Sequence, residues 1–240
     1  VDSLTPSALT YLQHADIVIG AKRTLALFST LICNAEQKDL NGHLSQVPDW
    51  ITQALDAQQS VVVLATGDPL CFGIATYLGK KISHTHFEVL PNVSTLAIAF
   101  AKFKLTWQDA KIVSIHKQDT GEWHCGAGHQ HGLYALLQNI VNADKLAILT
   151  SPENNPARIA RLLIQENLAE QFDMWVAQDL LTPHEQLLQE QSIQELSEQK
   201  FNGNNIVILQ RKAARPSPVL FGLDDAKFKQ RKPDKGLITK

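Results

Sequence analysis

The stretch from Ser60 to Pro69 narrows the choice of folds most sharply. Val61-Val62-Val63-Leu64-Ala65 is an unbroken apolar run that leads straight into Thr66-Gly67-Asp68-Pro69-Leu70. A strand that is apolar at every position has no solvent face, and it reads as a central parallel strand with both faces covered by helices. The glycine, acid and proline then end the strand, and a helix is expected over residues 70–82. In open α/β sheets, ligands bind outside the carboxyl ends of the strands. Gly67 would let a ligand approach the backbone closely, and Pro69 would stiffen the turn. Asp68 has two readings on the motif alone: an acceptor for a ligand's hydroxyl or amino groups, or the cap of the following helix.

Strand and helix signals alternate on both sides of this motif. Ser3-Leu4-Thr5-Pro6 is a helix opening, with a hydroxyl cap and a proline where its missing N–H costs nothing, and the helix is expected to run to His14. Strands are expected at residues 16–20 and 87–90, and helices at 22–32, 48–58 and 94–103. Residues 105–109 read as a linker, after which the alternation restarts. Strands follow at 112–115, 145–149, 173–177, 184–189 and 205–209, with helices from Leu133 and over 156–167. The pattern predicts an α/β chain with a mainly parallel sheet in a first unit, residues 1–104, and a mixed sheet in a second, residues 105–212. Residues 213–240, with Pro216, Pro218, Pro233 and many lysines, read as a linker or tail.

Composition excludes several functions. With a formal net charge of −2 over 240 residues, nothing global draws the chain to nucleic acid or an anionic membrane. An anionic ligand must therefore be met by a local group of cations. No apolar run approaches the ~20 residues of a membrane span, and no basic-then-apolar leader opens the chain, so the expected location is cytoplasmic. Cys33, Cys71 and Cys125 are odd in number and widely spaced, which argues against a disulfide framework. Gly126-Ala127-Gly128 lacks both the third glycine and the leading strand of a dinucleotide loop. Residues 123–131 hold one Cys and three His, yet their spacing fits no familiar zinc pattern. That segment reads as a flexible loop near a substrate mouth, with no metal expected.

Five motifs in order resemble a known family. They are Ala15-Asp16-Ile17-Val18-Ile19-Gly20-Ala21-Lys22-Arg23-Thr24-Leu25, the Thr66–Leu70 loop, Phe87-Glu88-Val89-Leu90-Pro91-Asn92-Val93-Ser94-Thr95, Val113-Ser114-Ile115-His116, and Leu149-Thr150-Ser151-Pro152-Glu153-Asn154-Asn155-Pro156-Ala157-Arg158. Together they resemble the tetrapyrrole methylases, and within them the branch that methylates a corrin precursor at C5 in cobalamin biosynthesis. The resemblance covers nearly all of residues 1–210. It implies a two-domain class III methyltransferase fold, S-adenosylmethionine as cofactor, precorrin-7 or its cobalt form as substrate, and a homodimer. The family opens with a strand and a Gly-x-Gly-Pro-Gly loop whose place falls ahead of Val1, so the resemblance implies either that the loop lies upstream of this sequence or that this version lacks it. The tail, with Phe221-Gly222-Leu223-Asp224-Asp225, resembles the junction to a second, C15-methylating and decarboxylating domain in fused enzymes. Other readings on the same fold are methylation of another ring carbon or of RNA, or a docking module that does not catalyse. The lack of basic excess counts against RNA.

Mapped onto this sequence, the resemblance implies cofactor contacts at Thr66, Gly67, Asp68, Cys71, Ser94, Thr95, Thr150 and Leu180. Methyl transfer from a sulfonium needs alignment and a dry site more than a strong side-chain catalyst, so no catalytic residue is expected. The substrate's acetate and propionate groups call for cations. Lys22, Arg23, His116 and Arg158 are the candidates.

Overall fold

The computed structural model describes residues 4–116, 119–189 and 191–213. The fused-domain junction read from the tail, in residues 221–240, lies outside the described residues.

The chain opens with α1 (Pro6–Gln13), whose N-terminus is capped by Thr5: the amide of Ala8 donates to Thr5 Oγ1 at 3.2 Å. Then come β1 (Ile17–Gly20), α2 (Lys22–Leu27), β2 (Glu36–Asp39), α3 (Val47–Asp56), β3 (Val61–Val63) and α4 (Ile74–Leu78). The three strands form a parallel sheet in the order β2-β1-β3. Alternate side chains of β1 enter different cores, as a strand's two-residue period requires. Ile17 and Ile19 pack with Val47, Ile51 and Ala54 of α3. Val18 packs with Leu12 of α1 and Leu25 of α2.

After α5 (Thr95–Phe103) the second sheet is built from β4 (Lys111–Ser114), β5 (Lys145–Leu149), β6 (Phe172–Gln178), β7 (Gln186–Leu188) and β8 (Asn205–Arg211). Its order is β4-β5-β8-β6-β7, parallel between β4 and β5 and antiparallel elsewhere. One face carries α6 (Tyr134–Asn142), α7 (Pro156–Gln165) and α8 (Ile193–Glu198) over a core that includes Leu146, Ile148, Val207 and Leu209. On the other face, Ala147, Ala177, Ile206 and Ile208 receive Leu96, Ala99, Phe100 and Phe103 of α5. The helix that closes the first run of alternation is therefore seated on the second sheet. The 105–109 segment is also anchored. The ammonium of Lys145 donates to Thr106 O at 3.0 Å and to both carboxylate oxygens of Asp109 at 2.8 and 3.0 Å.

Four expectations need correction. β3 is not the central strand: its valines are half-buried, while β1 has a partner on each side and four buried residues. Residues 87–90 are extended but join no sheet among the described residues; Phe87 instead packs on the core that holds Val61 and Val63. The helix expected over 70–82 shrinks to α4, because Phe72 takes a left-handed φ of 55° and Gly73 an extended backbone just ahead of it. The helix expected over 22–32 ends at Leu27, and turns continue the chain.

Phe100 is 2% exposed at the centre of the α5–sheet contact, with its ring 6.2 Å from that of Trp107. Phe100→Ala should lower unfolding stability by about 3–5 kcal/mol in urea titrations followed by tryptophan fluorescence. A loss below about 1 kcal/mol would mean that α5 is not held by this contact.

Candidate functional site

The strand-end loop and the start of α5 meet at Gly67. Its φ is +74°, and a Cβ placed there would lie 3.3 Å from Thr95 Oγ1. Only glycine adopts this conformation at low cost, so the residue both turns the chain and leaves room beside Thr95. Asp68 settles into a tight local turn in which the amide of Leu70 donates to its Oδ1 at 2.8 Å. Asp68 therefore organises its own loop and does not cap the following helix, since the N-cap of α4 is Gly73. Ser94 is the N-cap of α5, accepting from the amide of Leu96 at 3.1 Å. Thr95 is the helix's first residue, where amides without helical partners leave partial positive charge. Thr66 is exposed beside Gly67.

Cys71 packs against the apolar cluster under α5. Burial pushes its thiol pKa up, and the negative charge of Asp68 adds to the effect. The thiol therefore stays protonated through neutral pH, which argues against a nucleophilic role for Cys71.

The opposite wall comes from the second sheet. Leu149 and Leu180 pack on the same α5 cluster as Cys71. Thr150, directly after β5, is buried, and its hydroxyl donates to Asn205 O at 2.9 Å. Leu180 sits between Asp179 and Leu181, whose φ values are +47° and +62°. Glu185 holds this bend: its Oε2 accepts from the amide of Leu181 at 2.8 Å, and its Oε1 from Lys102 of α5 at 2.5 Å. The Lys102 ammonium, and then the Leu181 amide, lower the Glu185 pKa. Because the folded value is lowered, the pin is in place at neutral pH and is lost only as pH falls through that lowered value. Of the eight cofactor candidates, Gly67, Cys71 and Leu180 lie against α5, whose start carries Ser94 and Thr95; Thr66 and Asp68 flank Gly67 in its loop, and Thr150 follows β5.

The substrate candidates divide. Lys22 and Arg23 are exposed at the start of α2, beyond the carboxyl end of β1. Arg23 reaches Asn204 on the turn before β8: with the Asn204 amide turned so that its oxygen faces the guanidinium, as these partners require, Nη2 and Nη1 donate to it at 3.0 and 3.3 Å. His116 is exposed just past β4. Arg158 is placed differently. Its side chain is 12% exposed, and its guanidinium contacts Asp119 at 2.5 Å, Glu122 at 3.4 Å and Asn154 at 3.1 Å. Its Nε and Nη1 hold the 119–122 segment to α7.

The segment read as a flexible, metal-free loop is likewise anchored. Trp123 is 3% exposed, and its indole donates to Glu166 at 2.6 Å. Cys125 Sγ donates to Gln165 O, and the His131 ring lies edge-on to Trp123 at 5.0 Å. Among the described residues, no group of three or more His, Cys, Asp or Glu is placed to hold a metal. No described helix is long and apolar enough to cross a membrane.

Sequence reasoning missed Glu185 and Asn204. The second had a signal, since Asn202-Gly203-Asn204 ahead of an apolar run marks a turn into a strand. Glu185 had none, because its partners are fixed only by the fold.

Residues 1–197, which include the strand-end loop, α5 and the second sheet as far as β7, match a family model described as "Tetrapyrrole (Corrin/Porphyrin) Methylases". The chain belongs to the tetrapyrrole methylase family. A probable cobalt-precorrin-7 C(5)-methyltransferase of Methanocaldococcus jannaschii is 28% identical to this methylase over 187 residues, 77% of this chain and 81% of the relative. A precorrin-6Y C(5,15)-methyltransferase [decarboxylating] of Sinorhizobium sp is 26% identical over 171 residues, which cover 71% of this chain but 37% of that longer protein. The structure of a Thermus thermophilus uroporphyrin-III C-methyl transferase complexed with S-adenyl homocysteine superposes with a TM-score of 0.61 at 20% identity, covering 87% of this chain and 91% of the other. At that identity the likeness is one of fold, the α/β class III methyltransferase architecture.

Gly67→Ala places a side chain at φ +74° against Thr95. The variant should lose about 1–2 kcal/mol of stability in thermal or urea unfolding. It should also lose most of its affinity for S-adenosylhomocysteine in calorimetry, and unchanged affinity would place the cofactor elsewhere.

Proposed function

We propose that this methylase transfers the methyl group of S-adenosylmethionine to C5 of a corrin precursor, precorrin-7 or its cobalt form, in cobalamin biosynthesis. The observation that carries the reading is the convergence of Gly67, Thr95, Cys71 and Leu180 around α5, in a chain whose relatives are named for C5 methylation.

The residues fit the cofactor. Gly67 allows close approach at the strand end, Asp68 and Thr95 offer polar atoms beside it, and Cys71 and Leu180 supply apolar wall. S-adenosylmethionine, when bound, brings an already activated methyl group, so the protein need not provide a nucleophile. The chain's task is to hold the acceptor carbon in line and keep water out, which is where positioning contributes most. A protonated Cys71 serves this purpose, because it does not compete with the substrate carbon for the methyl group. Lys22, Arg23 and His116, at strand ends of both sheets, would meet the substrate's carboxylates. Arg158 would act indirectly, by fixing the 119–122 segment beside His116.

The reading extends to the assembly. A homodimer and a cytoplasmic location follow the family expectation. The length of the Sinorhizobium relative supports a C15-methylating, decarboxylating domain or subunit as partner.

The test uses the natural full-length protein. Calorimetry should give micromolar-range binding of S-adenosylhomocysteine, about −8 kcal/mol. Incubation with S-adenosylmethionine and precorrin-7 should yield a product heavier by one methyl group in mass spectrometry. Absence of binding heat together with an unmethylated substrate would refute the proposal.

A further inference from the structure

The turn that carries Asn204 is more firmly built than an exposed turn needs to be. Gly203 takes a φ of +70°, and a Cβ there would run into the carboxylate of Asp179. The amide of Asn204 donates to Asp179 Oδ1 at 3.1 Å, and the amide of Asp179 donates back to Asn204 O at 2.9 Å. The next residue, Asn205, is 5% exposed, and its carbonyl accepts the hydroxyl of Thr150. The backbone of Asn204 is thus clamped from both sides, between the bend that carries Leu180 and the strand end that carries Thr150. From that fixed base its side chain crosses to the first half of the chain and meets Arg23.

The chemistry of the contact is specific. A carbonyl oxygen accepting from both terminal nitrogens of a guanidinium sets the position and axis of that group's end. The partners settle the amide's orientation, since the reverse would set N–H against N–H. Because the acceptor is neutral, it orients Arg23 without cancelling its charge. The guanidinium's remaining N–H groups can then take a carboxylate. Arg158 is the contrast, because Asp119 and Glu122 neutralise it. The Arg23–Asn204 contact is exposed and adds little to stability by itself. Its consequence is orientation, holding a cation from one sheet at a set distance from cofactor-side residues of the other.

We propose that Asn204 is a positioning residue that presents Arg23 to a carboxylate arm of the tetrapyrrole, in register with the cofactor wall formed by Thr150 and Leu180. This rests on the methylase reading above and adds the residue that sets substrate placement.

The test is a double-mutant cycle in the full-length protein. Affinity for uroporphyrin III, an eight-carboxylate tetrapyrrole probe, is read by fluorescence titration, and KM and kcat are read with precorrin-7. Asn204→Ala should weaken probe binding and raise KM by about tenfold, with a smaller change in kcat. Asn204→Asp should weaken binding further, because its carboxylate occupies and neutralises Arg23. With Arg23 already changed to Ala, Asn204→Ala should add less than about a twofold loss. S-adenosylhomocysteine affinity and the melting temperature, measured for every variant, separate positioning from damage to the fold. Wild-type affinity in Asn204→Ala, or an equal loss in the Arg23→Ala background, would overturn the proposal. A wild-type protein that binds the probe but leaves precorrin-7 unmethylated would overturn the C5 assignment instead, and the probe cycle would still decide the role of Asn204.

Discussion

The structure depends on the seating of α5 across the second sheet. Leu96, Ala99, Phe100 and Phe103 lie on Ala147, Ala177, Ile206 and Ile208. The pairing of a large ring with alanines lets the helix come close, and tight packing of that kind holds its direction. The N-terminus of α5 touches the Gly67 loop, and Lys102 near its other end ties down the bend of Leu180 through Glu185. One helix therefore fixes the spacing between a loop of the parallel sheet and the Leu180 bend of the mixed sheet.

Much of this could be read in advance. The valine run, the Ser94 cap and the alternation in residues 145–211 carry their periods and caps in the sequence, and the elements form where those signals lie. The site motif was legible for the same reason, since a glycine and an acid at a strand end are local chemistry. What escaped is non-local. β2 is Glu-Gln-Lys-Asp, with no apolar period, and only its pairing with β1 makes it a strand. Residues 87–90 have strand-like composition but pair with no strand among the described residues. α8 did carry a signal, a capping box from Ser192 to Glu195, though its six residues give periodicity little to work with.

The same division applies to charge. Arg23 and Arg158 look alike in sequence, each an arginine near the start of a helix in a family-like motif. The fold gives one a neutral carbonyl and the other two carboxylates. A cation satisfied by a carboxylate is spent on structure, and one satisfied by a carbonyl keeps its charge for a ligand. Sequence spacing did not distinguish them, because Asp119 and Glu122 reach Arg158 from more than thirty residues away.

The central claim is that loops from both sheets close on a single cofactor around α5. Amide hydrogen exchange of the full-length protein, with and without S-adenosylhomocysteine, tests it most directly. The account predicts simultaneous slowing at residues 66–71, 94–96 and 179–181 on addition of the ligand. Protection confined to the loops of one sheet, with the others unchanged, would contradict it.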